Sequence, residues 1–385
     1  MLTANGLMQR SNDTAFAFRQ DSNFWYLTGI EQPDIVLVID ESEEYLIVPG
    51  RSGSRQVFDG AIDNTDLSRV SGIKQIYPAD QGWEKLTARL KKSKVGIIEP
   101  PKGYLDMIGL YANPARARLR RQLRTAHSAI ELLDIRSQLV NLRMVKQQAE
   151  VNAIKEAIDL TATGLSKISR HLNDYGYEYD IEADLTATFI RHQAGHAYEP
   201  IVAGGQNACT LHYVQNSSPL AVGQLILIDV GAEIHNYAAD ITRTFSIGPP
   251  TVRQQQVFDA VSGLQQFAYQ QLRPGVLIRE YEQLVEKQMG KILKELGLIT
   301  STNRADIRHY YPHSTSHFLG LDVHDAADYH KPLAPGMALT VEPGIYIPEE
   351  GIGIRIEDDV IITKTGLEIL SIDLPSGLNL DYTDK

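Results

Sequence analysis

Four acidic residues interrupt runs that otherwise read as buried strands, and this constrains the fold more than any other feature of the chain. In LILIDVG, Leu225, Leu227 and Asp229 share one face, because alternate strand residues point the same way. Asp240 follows in the next run, with Thr242 and Thr244 on its face. Glu342 interrupts MALTVEPGIYI, and Glu357 interrupts GIGIRIEDDVIIT, where Arg355 lies two residues earlier on the same face. A carboxylate inside an apolar strand is costly unless it is paired or binds a metal. The short polar link between residues 224–231 and 237–247 predicts a hairpin that sets Asp229 beside Asp240. Two adjacent carboxylates repel, and a cation resolves the repulsion.

The order of elements gives the architecture. In the first ~125 residues, strands are expected at 24–28, 35–39, 45–48 and 95–98, with an amphipathic helix at 83–92, so a small sheet covered by helices is predicted. The basic stretch 116–124 reads as the solvated face of a helix. From about 129 to 171 the apolar spacing is helical, notably at 131–140 and 146–168. Further helices are expected at 180–194, 254–271 and 278–296. Each helical group is followed by two strands: 224–231 with 237–247, then 338–347 with 353–363. The expected fold is α/β (α+β), with a small α/β domain over 1–126 and a larger domain over 127–385. The larger domain would consist of two similar α/β halves with helices on one side of a curved antiparallel sheet.

Composition excludes several classes. The net charge is −11, and beyond residue 125 there are 20 Lys and Arg against 33 Asp and Glu. Nucleic acid is therefore not an expected partner, since phosphate binding needs a basic surface. The single cysteine, Cys209, permits no intrachain disulfide and fits a reducing cytoplasm. The first residues carry no basic-then-apolar signal segment, and the longest apolar runs fall far short of a membrane span, so no membrane role is expected.

Histidines accompany the acids. Of eleven, His313, His317 and His324 lie in PHSTSHFLGLDVHD, and His212 lies seventeen residues before Asp229. The carboxylates with one imidazole carry charge −4, which two divalent cations would neutralise. Oxygen-dominated ligation favours Mn²⁺, with Co²⁺ or Zn²⁺ as alternatives. A metal pair about 3.5–4 Å apart is a recognised hydrolytic arrangement.

At these residues the sequence resembles the pita-bread metallopeptidases, and among them the Xaa-Pro aminopeptidases (aminopeptidase P). NDTAFAFRQDSNFWYLTGIEQPDIVLVI is similar to their N-terminal domain. IVAGGQNACTLHY, LILIDVGAEIHNYAADITRTF, PHSTSHFLGLDVHD, LTVEPGIYI and GIGIRIEDDVIIT are similar to their five catalytic blocks, in order. The resemblance implies Asp229, Asp240, His317, Glu342 and Glu357 as ligands of two metals, with Asp240 and Glu357 bridging. It implies Glu342 as general base, and His212, His313 and His324 as catalytic histidines that contact the substrate. Arg355 matches an arginine beside the bridging glutamate, and Tyr198 a tyrosine lining the site. The implied reaction is hydrolysis by a metal-bridging hydroxide, releasing the N-terminal residue from peptides with proline second. A homo-oligomer, dimer or tetramer, is implied as well. The alternatives are a prolidase restricted to Xaa-Pro dipeptides and, more remotely, a non-catalytic pita-bread binding protein, although no ligand position is lost. Two departures stand out: the chain starts only a few residues before ANGL, where relatives carry a further helix and strand, and Ser314 replaces a glycine common in relatives.

Overall fold

The computed structural model describes residues 1–90, 94–100, 109–372, 374, 377 and 378. The chain divides into two compact units, Met1–Val140 and Asn141–Lys385. The division falls later than the expected boundary after residue 126. Its cause is the segment Glu131–Asp134, which is a strand paired in parallel with Lys94–Ile97 rather than the start of a helix.

In the first unit, Leu2–Thr3, Val36–Ile39, Glu44–Val48 and Gln75–Pro78 form a sheet with one parallel and two antiparallel pairings. Ile35, Leu37, Leu46 and Val48 of this region pack with Phe24 and Leu67. The expected helix at 83–92 is present as Ala79–Arg89, and residues 91–92 of that expectation lie outside the described residues. The basic stretch lies in the helix Ala115–Ala126, which buries Leu119 and Leu123. Residues 24–28, expected as a strand, belong to a helix, Ser22–Thr28. Its start is fixed by Asp21, whose carboxylate accepts from the backbone N–H groups of Asn23 and Phe24. Its end is fixed by Gly29 at φ 65°, a left-handed stop that suits glycine. These two caps outweigh the strand preference of the aromatic run between them.

In the second unit, helices Gln148–Arg170 and Glu178–Arg191 precede a sheet of Ile201–Gly204, Leu225–Val230 and Ile241–Ser246. Helices Val252–Gln271 and Ile278–Glu295 precede Ala338–Val341, Asp358–Ile362 and Leu367–Ile369, with Gly344–Ile347 and Ile352–Arg355 as a neighbouring hairpin. All these ladders are antiparallel. Helix residues Leu165, Ile168, Ile181, Leu185 and Phe189 pack against Ile226, Ile228, Val230, Ile241 and Phe245. At roughly 1.5–3 kcal/mol per buried large apolar side chain, this face fixes the strand register. The alternate residues Leu225, Leu227 and Asp229 are thereby turned to the opposite face, where Leu227 meets Ile201, Ala203 and Tyr346.

The long strands expected from sequence are broken where the acids stand. Asp240 lies between Tyr237–Ala238 and Ile241–Ser246, Glu342 between Ala338–Val341 and Gly344–Ile347, and Glu357 between Ile352–Arg355 and Asp358–Ile362. Asp229 alone sits within a continuous strand. Its register partner is Thr242, so Asp240 lies beyond the strand end rather than directly opposite as a simple hairpin would place it.

Candidate active site

A cavity of about 720 Å³ in the second unit is lined by Tyr198, His212, Asp229, Asp240, His313, His317, His324, Glu342, Arg355 and Glu357. Every site residue expected from sequence is therefore in one wall or floor. Ligand atoms of Asp240, His317 and Glu357 all lie within 4.8 Å of one another. His317 Nε2 is 3.3 Å from Asp240 Oδ2 and 3.5 Å from Glu342 Oε1. Asp229 connects to this group through Tyr198, whose hydroxyl contacts Asp229 Oδ1 at 2.5 Å and Asp240 Oδ1 at 2.6 Å.

Arg355 closes the other side. Its Nη2 donates to Asp229 Oδ2 at 2.5 Å, its Nη1 to Tyr346 at 2.8 Å and its Nε to the Thr242 hydroxyl at 3.0 Å. Thr242 in turn donates to Glu357 Oε2 at 2.6 Å. Because Arg355 donates to the Tyr346 oxygen, the phenolic proton of Tyr346 is free to go to His313 Nε2, 2.9 Å away. That assigns the proton of His313 to Nδ1, where it meets the Ser314 carbonyl at 2.8 Å. His324 has its ring centroid 4.1 Å from that of His317, and His212 lies on an exposed part of the cavity wall.

Two glutamates, the buried Glu178 and the partly buried Glu282, hold the histidine segments and were not singled out from sequence. Glu178 accepts from Gly204 N–H, Asn207, Tyr213 and Ser218 N–H, each at 2.8 Å, and so shapes the stretch that carries His212. Glu282 accepts from the N–H groups of Thr315 and Ser316 at 2.9 and 3.0 Å, between His313 and His317. Each stands in the first turns of a helix, where sequence alone reads an ordinary solvated acid. Tyr346 and Asp359 were missed also. Asp359 accepts the Asp240 N–H at 3.0 Å through Oδ2, while its buried Oδ1 has no hydrogen-bond partner.

The electrostatics favour a missing positive charge. Burial pushes the carboxyls of Asp229 and Glu357 above the usual range, and the negative charges of Asp240, Glu342 and Asp229 push Glu357 further. Burial likewise raises Glu342 to about 7. For His317, burial opposes the charged ring, but the hydrogen bond to Asp240 and the charges of Glu342 and Asp240 prevail, giving about 9. Burial and the charge of Arg355 press His313 down to about 3, so it is neutral at physiological pH.

Residues 152–364 match the profile of Metallopeptidase family M24, which spans more than half of the chain, and residues 1–98 match that of the aminopeptidase P N-terminal domain. The chain belongs to metallopeptidase family M24. Among M24 relatives, the Xaa-Pro aminopeptidase of Haemophilus influenzae is 34% identical, over 95% of this chain and 88% of that protein. The low-pH form of aminopeptidase P from Escherichia coli superposes with a TM-score of 0.83 at 31% identity, over 98% of this chain and 91% of that one. The zinc-substituted Escherichia coli enzyme in complex with product gives the same values. The N-terminal unit and the M24 catalytic unit thus match aminopeptidase P throughout. As a metallopeptidase of this family, the chain uses divalent metal ions. The donor set fits them: several carboxylates with raised pKa, one imidazole, and a single phenolic proton shared between two carboxylates leave an excess of acceptors that a hard or borderline dication satisfies.

Proposed function

We infer that this chain removes the N-terminal residue from peptides with proline in second position, in a metal-dependent hydrolysis. The single observation that carries the reading is the acid–imidazole cluster at the base of a histidine-walled cavity, in a chain similar over nearly its whole length to Xaa-Pro aminopeptidases. The X-Pro bond is a tertiary amide without N–H, so a site that grips that N–H would fail on it.

In this reading, Asp229, Asp240, His317, Glu342 and Glu357 would hold two divalent metal ions. When bound, such ions polarise the scissile carbonyl and lower the pKa of water. Glu342 accepts the proton of the attacking water at a carboxylate oxygen and passes it on to the leaving proline nitrogen. His324 and His212 contact the peptide from the cavity wall. His313 is held neutral by burial and is oriented through Tyr346 and Ser314. Tyr198 keeps Asp229 and Asp240 in register, and burial raises its phenol far above the usual range, so it stays protonated.

The prolidase alternative needs a fixed cation to hold a proline carboxylate. Among the described residues lining the cavity, Arg355 is the one lysine or arginine. All three of its nitrogens are already committed to Asp229, Tyr346 and Thr242. This supports an enzyme that accepts tripeptides and longer chains. Mn²⁺ as the native metal, a cytoplasmic location and a homo-oligomer of two or four copies complete the proposal. The oxygen-rich donor set supports the first, and the lone cysteine the second. No helix among the described residues is long and apolar enough to cross a membrane. The test is hydrolysis of Ala-Pro-Ala and Ala-Ala-Ala by the metal-reconstituted protein. Cleavage of the first alone is expected, and equal cleavage of both would overturn the proline requirement.

A further inference from the structure

We propose that Asp325 is a positioning residue for His324, acting through a buried ion cluster with Arg143 and Lys146. The inference rests on the reading of His324 as a histidine that contacts the substrate.

The cluster lies outside the metal site. The side chains of Asp325 and Lys146 are 1% exposed and that of Arg143 is 2% exposed. Lys146 Nζ donates to Asp325 Oδ2 at 2.6 Å and to the Arg143 carbonyl at 2.8 Å. The Arg143 guanidinium donates to Asp325 Oδ1 and, at 2.8 Å, to the half-exposed Asp322. Two cations and two carboxylates therefore balance. A buried set of this kind gives little net stability over a well-packed apolar replacement, so its use points to placing something.

What it places is the loop that carries the histidine. Asp325 N–H donates to the Phe318 carbonyl at 2.8 Å, which closes residues 318–325 into a loop directly after His317. Asp325 Oδ1 also accepts the Asp322 N–H at 3.3 Å, so one carboxylate holds both the inside of the loop and its outer anchor. Gly320 lies against the ion pair: a Cβ there would stand 2.3 Å from Asp325 Oδ2 and 2.8 Å from Lys146 Nζ. The Gly320 carbonyl accepts from Ala238 N–H at 2.9 Å, two residues before Asp240. Among the described residues the His324 ring has no hydrogen-bond partner of its own. Its ring lies against that of His317. Its position therefore follows the backbone that Asp325, the next residue, fixes.

Because removing Asp325 takes a carboxylate from both buried cations and invites misfolding, the test uses Lys146→Met and Gly320→Ala, each in the native background and with His324→Ala. Metal content, melting temperature and kcat/KM on Ala-Pro-Ala are measured on the metal-loaded full chain. Each single variant is expected to keep its metal and lose about tenfold in kcat/KM, in kcat rather than KM, a loss within the range for a small misplacement of a reacting group. In the His324→Ala background, the same substitutions should cost less than about twofold, because nothing remains to be positioned. Equal losses in both backgrounds would overturn the inference and make the cluster merely structural, while the reading of His324 would stand. Full activity in His324→Ala alone would overturn both.

Discussion

Arg355 and Asp229 form a buried ion pair, Nη2 to Oδ2 at 2.5 Å, on strands of opposite halves of the catalytic unit. With its other nitrogens on Tyr346 and Thr242, the Arg355 guanidinium is held on three partners within the protein rather than reaching out towards a substrate carboxylate. Ala-Pro-Ala and longer Ala-Pro peptides are therefore expected to be cleaved with kcat/KM at least equal to that of Ala-Pro. A steady-state comparison checks this, and turnover of Ala-Pro alone would identify a prolidase.

Extensive chelation should abolish hydrolysis, and Mn²⁺ or Co²⁺ should restore it. Elemental analysis alongside the assay is the check. Full activity in protein shown to be metal-free would contradict the role given to the acid cluster.

Asp240 and His324 separate metal holding from rate. Asp240→Ala removes an atom set shared by the whole cluster, so metal and activity should fall together. His324→Ala should retain metal and lose about 10²–10³-fold in kcat, as for a donor to a developing oxyanion. The pair is read by metal content against kcat, and the reverse pattern would exchange their roles.

The metal-free protein should lose stability as pH rises from about 6.5 to 9. His317 titrates near 9 when folded against an ordinary value of 6.5, so its stabilising charge is present below 6.5 and is lost as pH climbs through 9. Glu342, raised from 4.5 to about 7, acts in the same direction over the interval between those values. His313 acts oppositely, but only between about 3 and 6.5. Metal supplies the missing positive charge and should flatten the trend. Thermal melts at several pH values, with and without Mn²⁺, measure it, and a rise in metal-free stability over that window would refute the account.

Tyr346→Phe takes the acceptor from Arg355 Nη1 and the donor from His313 Nε2. Leaving a charged donor buried and unpaired costs about 1–3 kcal/mol, so denaturant melts should show a loss of that size. A fall of about tenfold in kcat is expected with metal content unchanged, the kinetic equivalent of one such hydrogen bond.

The acids of the site were legible because a carboxylate within an apolar run has few affordable explanations. Their neighbours were not. Glu178 and Glu282 look like ordinary helix-start acids until the loops 26 or more residues away fold back onto them. Glu131–Asp134 read as helix because its partner strand, Lys94–Ile97, lies far back in the chain and periodicity carries no trace of it. Residues 24–28 read as strand, but they belong to the helix Ser22–Thr28, which Asp21 caps and Gly29 stops. Asp229 and Asp240 were correctly brought near each other but by a different route. The break before Ile241 puts Thr242 opposite Asp229, and Tyr198 spans the remaining gap.

The broken strands carry a further consequence. A strand residue normally gives its amide to the neighbour in its own ladder, but these acids send theirs elsewhere. Asp240 in the first half donates to the carboxylate of Asp359 in the second, and Glu357 in the second half donates to the carbonyl of Thr242 in the first. Each half thus completes the backbone of the other's acid, in a reciprocal handshake. Two units that read as near-repeats are no longer separable: a lone half would present its carboxylate on a loop with no counterpart to seat it. Amide exchange at Asp240 and Glu357 would accordingly report the joining of the halves, and not the strength of either sheet.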